Sequence, residues 1–225
     1  MVTTVYIVRH CESTGNVEHR FQGRFDAPIT PKGEKQLELL SLRFRNVHLD
    51  AIFSSPLERA RLTAQAVNRF HDLPIQLVDD LLELDVGEME NLHLDEIGGK
   101  FPLVAKNWDE TPDLCEFPGG ETMAQAYERV NAALDDIIAK NPGKTILLAT
   151  HGGVIRNIDA RVRAGSVRGM RGGAVFGNTG VSILEAGEDG TLSWRRVNDL
   201  SHLPEELRRS PTKYQFHTEA SGEVL

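Results

Sequence analysis

At 225 residues the chain is long enough to bury one well-filled α/β core. Its formal net charge of −8 argues against nucleic acid or an anionic membrane as main partner, and any anion site must be locally basic against that background. Two distant cysteines, Cys11 and Cys115, give no disulfide framework, no stretch approaches the ~20 apolar residues of a membrane span, and the start lacks a signal peptide's apolar core, so the cytoplasm is expected.

VYIVRHC, residues 5–11, reads as a short apolar strand ending on Arg9–His10. In open α/β sheets the carboxyl edge is where ligands bind. Arg9 offers a planar fork suited to phosphate oxygens, and His10 a nitrogen that is neutral and nucleophilic near pH 7. Thr30–Pro31 opens a helix with a capping residue and proline at the first helical position, and Leu37, Leu40, Phe44 and Val47 form its apolar stripe. AIFSS, residues 51–55, is a short buried strand. Ser55–Pro56–Leu57–Glu58 has capping-box spacing, so a helix is predicted from Pro56 with Ala60, Thr63, Val67 and Phe70 on one face.

Residues 75–78 read as another strand. The stretch 86–120 is read as irregular, a lid-like insertion over the site. Alternatively, its Phe101 and Trp108 fill a satellite core. Thr122 with Gln125 opens a long helix carrying Ala126, Val130, Leu134, Ile137 and Ile138. TILLATHGGVIR, residues 145–156, is a second apolar strand that stops on a histidine and two glycines before a helix. Residues 180–185 and 191–197 form a closing hairpin, and 204–225 a polar, loosely held tail. Alternating strands and helices predict a three-layer α/β/α sandwich with a mostly parallel sheet. Two histidines at two strand ends, with arginines nearby, describe a phosphate pocket.

VRHCESTGN, HRFQGRFDAPITPKGEKQ, SSPLERARLTAQAV, LLELDVGEME, PGGET and ATHGGVIR, in that order, resemble the histidine phosphatase superfamily, also called phosphoglycerate-mutase-like. NTGVSILE and VNDLSHL extend the likeness to about residue 203, implying one such domain over 1–203. The resemblance implies that His10 takes the phosphoryl group as a phosphohistidine. This suits imidazole, which attacks phosphorus without first losing a proton. It implies phosphate binding by Arg9, Arg59, His151 and Gly152, with Asn16, Gln22 and Gly23 as further donors. Arg59 has an independent reason too, lying in the first turn of a predicted helix where free amides favour an anion. Arg61 is expected to be solvated. The resemblance selects Glu83 as general acid from an acidic stretch that also holds Asp79, Asp80, Asp85, Glu88 and Glu90.

Cys11 departs from the family, which usually has glycine after the catalytic histidine. The expected role there is a backbone carbonyl that holds the imidazole tautomer, which any residue supplies. LDVGEMENLHLDEI lacks the Tyr-Gly and Gly-Leu-Asn-Lys elements of bisphosphoglycerate-dependent mutases. It looks more like the broad-specificity phosphatases, with Asn91 in place of a glycine. The implied activity is therefore hydrolysis of small phosphomonoesters, without metal or cofactor. The alternatives are a phosphoglycerate mutase or a non-catalytic phosphate-binding regulator. The remaining histidines show no metal-ligand spacing. The oligomeric state is left open, a homodimer included.

Overall fold

The computed structural model describes residues 1–208. In chain order the elements are β1 (Thr3–Arg9), α1 (Thr14–Val17), α2 (Pro31–Phe44), β2 (Ala51–Ser54), α3 (Glu58–Asn68), β3 (Ile75–Leu77), α4 (Leu94–Lys100), α5 (Pro102–Glu110), α6 (Met123–Ala139), β4 (Thr145–Thr150), α7 (Gly152–Ala164), β5 (Val181–Ala186), β6 (Leu192–Asp199) and α8 (Glu205–Arg208). The strands form a single sheet in the order β3-β2-β4-β1-β5-β6. The first four strands run parallel; β5 is antiparallel to β1, and β6, antiparallel to β5, again runs in the direction of the first four.

Period-two alternation divides the core between the two faces of this sheet. Val5, Ile7, Phe53, Ile146 and Leu148 join side chains of α6 and α7 on one face. Val8, Ile52, Leu147 and Ala149 join Leu40 and Phe44 of α2 and Ala64 and Val67 of α3 on the other. Helices thus cover both faces, as the expected three-layer architecture requires. Thr30 Oγ1 caps α2 by accepting from Gly33 N at 2.9 Å, and the Thr122–Gln125 box caps α6.

The structure corrects four expectations. Residues 86–120 are largely helical rather than irregular, holding α4, α5 and two short 3₁₀ turns. Trp108 and Phe117 there pack with Phe21 in a third core cluster, and Phe101 lies against it. α3 begins at Glu58, two residues later than predicted, and Phe70 is exposed. On α2 the buried face is Gly33, Gln36, Leu40, Ser41 and Phe44, while Leu37 is half-buried and Val47, also half-buried, lies beyond the helix end. The start of the tail is held: Glu205–Arg208 form a helical turn, and Gln36 Nε2 donates to the Leu207 carbonyl at 3.0 Å. The rest of the tail lies outside the described residues. Asn91, standing where resembling sequences have glycine, has φ of 60°, a left-handed angle that asparagine tolerates better than most residues.

Candidate active site

β1 and β4 are neighbours, with Arg9 opposite Thr150, so the residues after them emerge together at the carboxyl edge. His10 N donates to the Thr150 carbonyl at 2.8 Å, and the His10 and His151 rings lie 5.3 Å apart. A cavity of about 300 Å³ opens beside them. Arg9, His10, Gln22, Gly23, Arg59, Glu83 and Gly152 all line it.

His10 is buried, with Nδ1 2.7 Å from the Cys11 carbonyl. A carbonyl only accepts, so in the neutral ring Nδ1 carries the proton and Nε2 the lone pair. Burial, then the charges of Arg59 and Arg9, push the His10 pKa well below its usual value and keep the ring neutral at pH 7. Cys11 does supply the expected carbonyl. Its backbone is not among the positive-φ residues, so a side chain is tolerated there. Its N–H donates to Thr63 Oγ1 at 3.1 Å, and burial pushes its thiol up to about 12, which makes it a poor nucleophile.

His151 is fully buried, with Nε2 2.7 Å from Ser55 Oγ. Its Nδ1 is buried without a hydrogen-bond partner among the described residues, and the ring stands beside the cavity rather than in its lining. Burial, then the charges of Arg59, His10 and Arg9, lower its pKa as well. This contact explains why the predicted capping box fails. The Ser55 hydroxyl serves the histidine, lies a long 3.4 Å from Leu57 N, and leaves α3 without a side-chain cap from its own N-cap residue.

Asp26 does that work instead, taking Glu58 N–H at 2.6 Å and Arg59 Nη1 at 3.2 Å. The anion expected at the start of α3 is therefore partly supplied by the protein. Arg59 is buried and anchored further by the Phe25 and Gly23 carbonyls, both at 2.8 Å. Arg9 is anchored through Nη1 to the Phe176 carbonyl, and its buried Nε has no partner among the described residues. Arg61 is exposed, as expected.

Glu83 follows the 3₁₀ turn after β3 and accepts from Leu84 N at 3.0 Å and Gly153 N at 3.1 Å. A Cβ on Gly153 would stand 2.4 Å from Glu83 Oε1, so glycine there makes room for the carboxylate. The rivals sit elsewhere: Asp85 pairs with Arg24 at 3.1 Å, and Glu88 is exposed. Arg129 of α6 holds the approach to Glu83, donating to the Asp80 and Leu82 carbonyls at 2.8 and 3.0 Å and pairing with Glu121. Glu90 accepts from Arg24 N and Phe25 N, both at 2.7 Å, and so braces the loop beside Gly23.

Asn16 is buried behind the cavity rather than in its lining. Its Oδ1 accepts from Ser13 and from Asn178 Nδ2 at 3.2 Å. Gln22 lines the cavity and takes a 2.7 Å bond from Ser13 Oγ. Gly23, with φ of 49°, needs glycine because a Cβ would meet Glu90.

Sequence reasoning missed several residues. Asn178 Nδ2 donates to the His10 carbonyl at 3.0 Å, and Thr179 N donates to the Arg9 carbonyl at 3.0 Å. Thr179 holds φ of 54°, rare for a β-branched residue, so the turn behind His10 is strained. The far wall comes from Trp108, Arg156 and the loop Met170–Phe176. No sequence signal marks that loop beyond its Gly172–Gly173 pair. Among the described residues no group of three or more His, Cys, Asp or Glu is placed to hold a metal, and no helix is long and apolar enough to cross a membrane.

The chain is similar to known proteins over most of its described length. The pattern of the histidine phosphatase superfamily (branch 1) matches residues 5–200. Phosphoserine phosphatase 1 of Hydrogenobacter thermophilus is 34% identical over 145 residues, covering 64% of this chain and 69% of the relative. The probable phosphoglycerate mutase GpmB of Cronobacter sakazakii is 37% identical over 153 residues, 66% of this chain and 69% of the relative. The structure of Bacillus stearothermophilus YhfR superposes with a TM-score of 0.83 at 32% identity, covering 89% of this chain and 98% of that one. The chain belongs to the histidine phosphatase superfamily.

Proposed function

We propose that this phosphomonoester hydrolase works through a phosphohistidine at His10. The observation that carries the reading is the His10 ring itself, neutral, with Nδ1–H given to the Cys11 carbonyl and Nε2 left as the lone pair beside two arginines. Nε2 attacks phosphorus and the ester P–O bond breaks. Arg9, Arg59 and His151 take up charge on the equatorial oxygens. Glu83 gives its proton to the departing alkoxide. It then takes one from water, whose oxygen attacks phosphorus, breaks the P–N bond and releases inorganic phosphate. Asn16 acts by orienting the loop, and Gln22, Gly23 and Gly152 shape the phosphate end. The segment 86–120 roofs the cavity through Trp108. Two buried thiols suit the cytoplasm.

The similarity to a relative named as a probable mutase supports a second reading, phosphoryl transfer between positions of a phosphoglycerate. Phosphate release from 4-nitrophenyl phosphate, with and without bisphosphoglycerate, separates the two. Release without it is expected, with an acid-labile, base-stable adduct trapped by rapid quenching. His10→Ala should remove both release and adduct, and normal turnover by that variant would refute the assignment.

A further inference from the structure

We propose that the far end of the cavity, Arg171 together with Arg156, is a second anion subsite that selects phosphomonoesters whose alcohol carries another anionic oxyacid group. The inference rests on reading the His10 end as the phosphate site. Guanidinium forks bind carboxylate and phosphate alike, so the shared chemistry is the anionic oxyacid itself.

Three observations carry it. Gly152, Gly153 and Arg156 share one face of α7, and four residues of helix place Arg156 about 6 Å along the axis from Gly152, which touches the phosphate end beside Arg9. The Arg156 guanidinium lies 4.9 Å over the buried Trp108 ring, with Nη2 3.4 Å from the Met170 carbonyl, so it is ordered before any ligand arrives. Arg171, the next residue of that loop, lines the same cavity and has no ion-pair partner among the described residues.

Charge and size then narrow the substrate. Arg9 and Arg59 already serve the reacting phosphate. The far pair adds positive charge to a cavity in which Glu83 is the one carboxylate among the described lining residues. The wall between is apolar, with Phe21, Leu84, Val175 and Phe176, so it fits a short carbon spacer. A volume of about 300 Å³ is at the low end for small-molecule sites and suits a compact body. The substrate is therefore a short alcohol with phosphate at one end and a carboxylate or second phosphate a few bonds away.

The test compares kcat/KM of the full chain for matched pairs. The carboxylate arm is 3-phosphoglycerate against glycerol 3-phosphate, and the phosphate arm is propane-1,3-diol bisphosphate against its monophosphate. 4-Nitrophenyl phosphate reports on the phosphate end. In the native protein the doubly anionic member of at least one pair should be preferred about 10–100-fold, mainly through KM. The preference should collapse in Arg171→Gln and reverse in Arg171→Glu. Arg156→Gln is the companion variant, but Arg171 is exposed and carries the test should loss of the Trp108 contact unfold the other. Equal use of both members of both pairs, or a preference that survives the Arg171 substitutions, overturns the subsite and leaves the hydrolase reading intact. Failure of the native protein to release phosphate from any of the esters overturns the hydrolase reading instead.

Discussion

The two ends of the cavity are built differently. At the phosphate end His10 and His151 leave adjacent parallel strands, are buried, and sit in a backbone frame that ties His10 to Thr150, Arg9 and Thr179. At the far end Trp108, Arg156 and Arg171 come from a short helix, a helix flank and a loop, and Arg171 is exposed. A sheet edge fixes backbone positions through many ladder bonds, which suits a reaction needing atoms within a fraction of an ångström. Helix flanks and loops change without disturbing that ladder, which suits the part that chooses among alcohols.

If this division holds, damage at the phosphate end should fall on chemistry. Glu83→Gln keeps the shape but removes the transferable proton. It should lower turnover of alkyl phosphates ~10²–10⁴-fold, phosphoenzyme formation from nitrophenyl phosphate much less, and prolong the phosphoenzyme. Equal slowing of phosphorylation by both esters with dephosphorylation untouched would move the role to another carboxylate.

Arg59→Ala should cost ~10²–10³-fold in kcat for every ester, whatever its far group, because it removes a fixed donor at the phosphate. Arg61→Ala, exposed on the same helix, should change little, and equal damage from the two would contradict the observed helix phase. Ser55→Ala takes away the partner of His151 Nε2. About tenfold in kcat/KM is expected, again independent of the alcohol, together with ~1–3 kcal/mol of stability for a buried ring nitrogen left unpaired. A variant with full activity and unchanged denaturant midpoint would show that the contact orients nothing.

The smallest effect concerns pH. His10 and His151 are held neutral by burial and by the arginines, and His202 is pushed down to about 4 by burial and Arg43. All three gain protons more readily in the unfolded chain, so folding stability should be level above about pH 6.5 and fall as pH drops below it. Urea titrations at pH 7.5, 6.5 and 5.5 read this slope. His202→Asn should make it shallower by removing one of the three contributions, and stability that rises on acidification would refute the depressed values.

Much of the phosphate end was legible because its residues follow apolar strands directly, and strand endings are visible in a one-dimensional pattern. Arg9, His10 and His151 could be named this way, Arg59 through its place in the first turn of a predicted helix together with the family resemblance, and Glu83 through its surrounding motif. The Ser55 capping box was misplaced for a physical reason: the same hydroxyl satisfies either a helix amide or a histidine, and only the neighbouring strand decides. Residues 86–120 read as irregular because their prolines and glycines punctuate helices of seven and nine residues, too short to show a clear period.

By itself the sequence determined the layered α/β architecture and which residues stand at the strand ends, since alternation and local order specify both. Tertiary structure alone decided that Asp26 caps α3, that Asn178 holds the His10 carbonyl from 168 residues away, with Thr179 beside it, and that Arg156 meets Trp108. Such contacts depend on where distant segments cross after the core has packed, and no local pattern encodes a crossing.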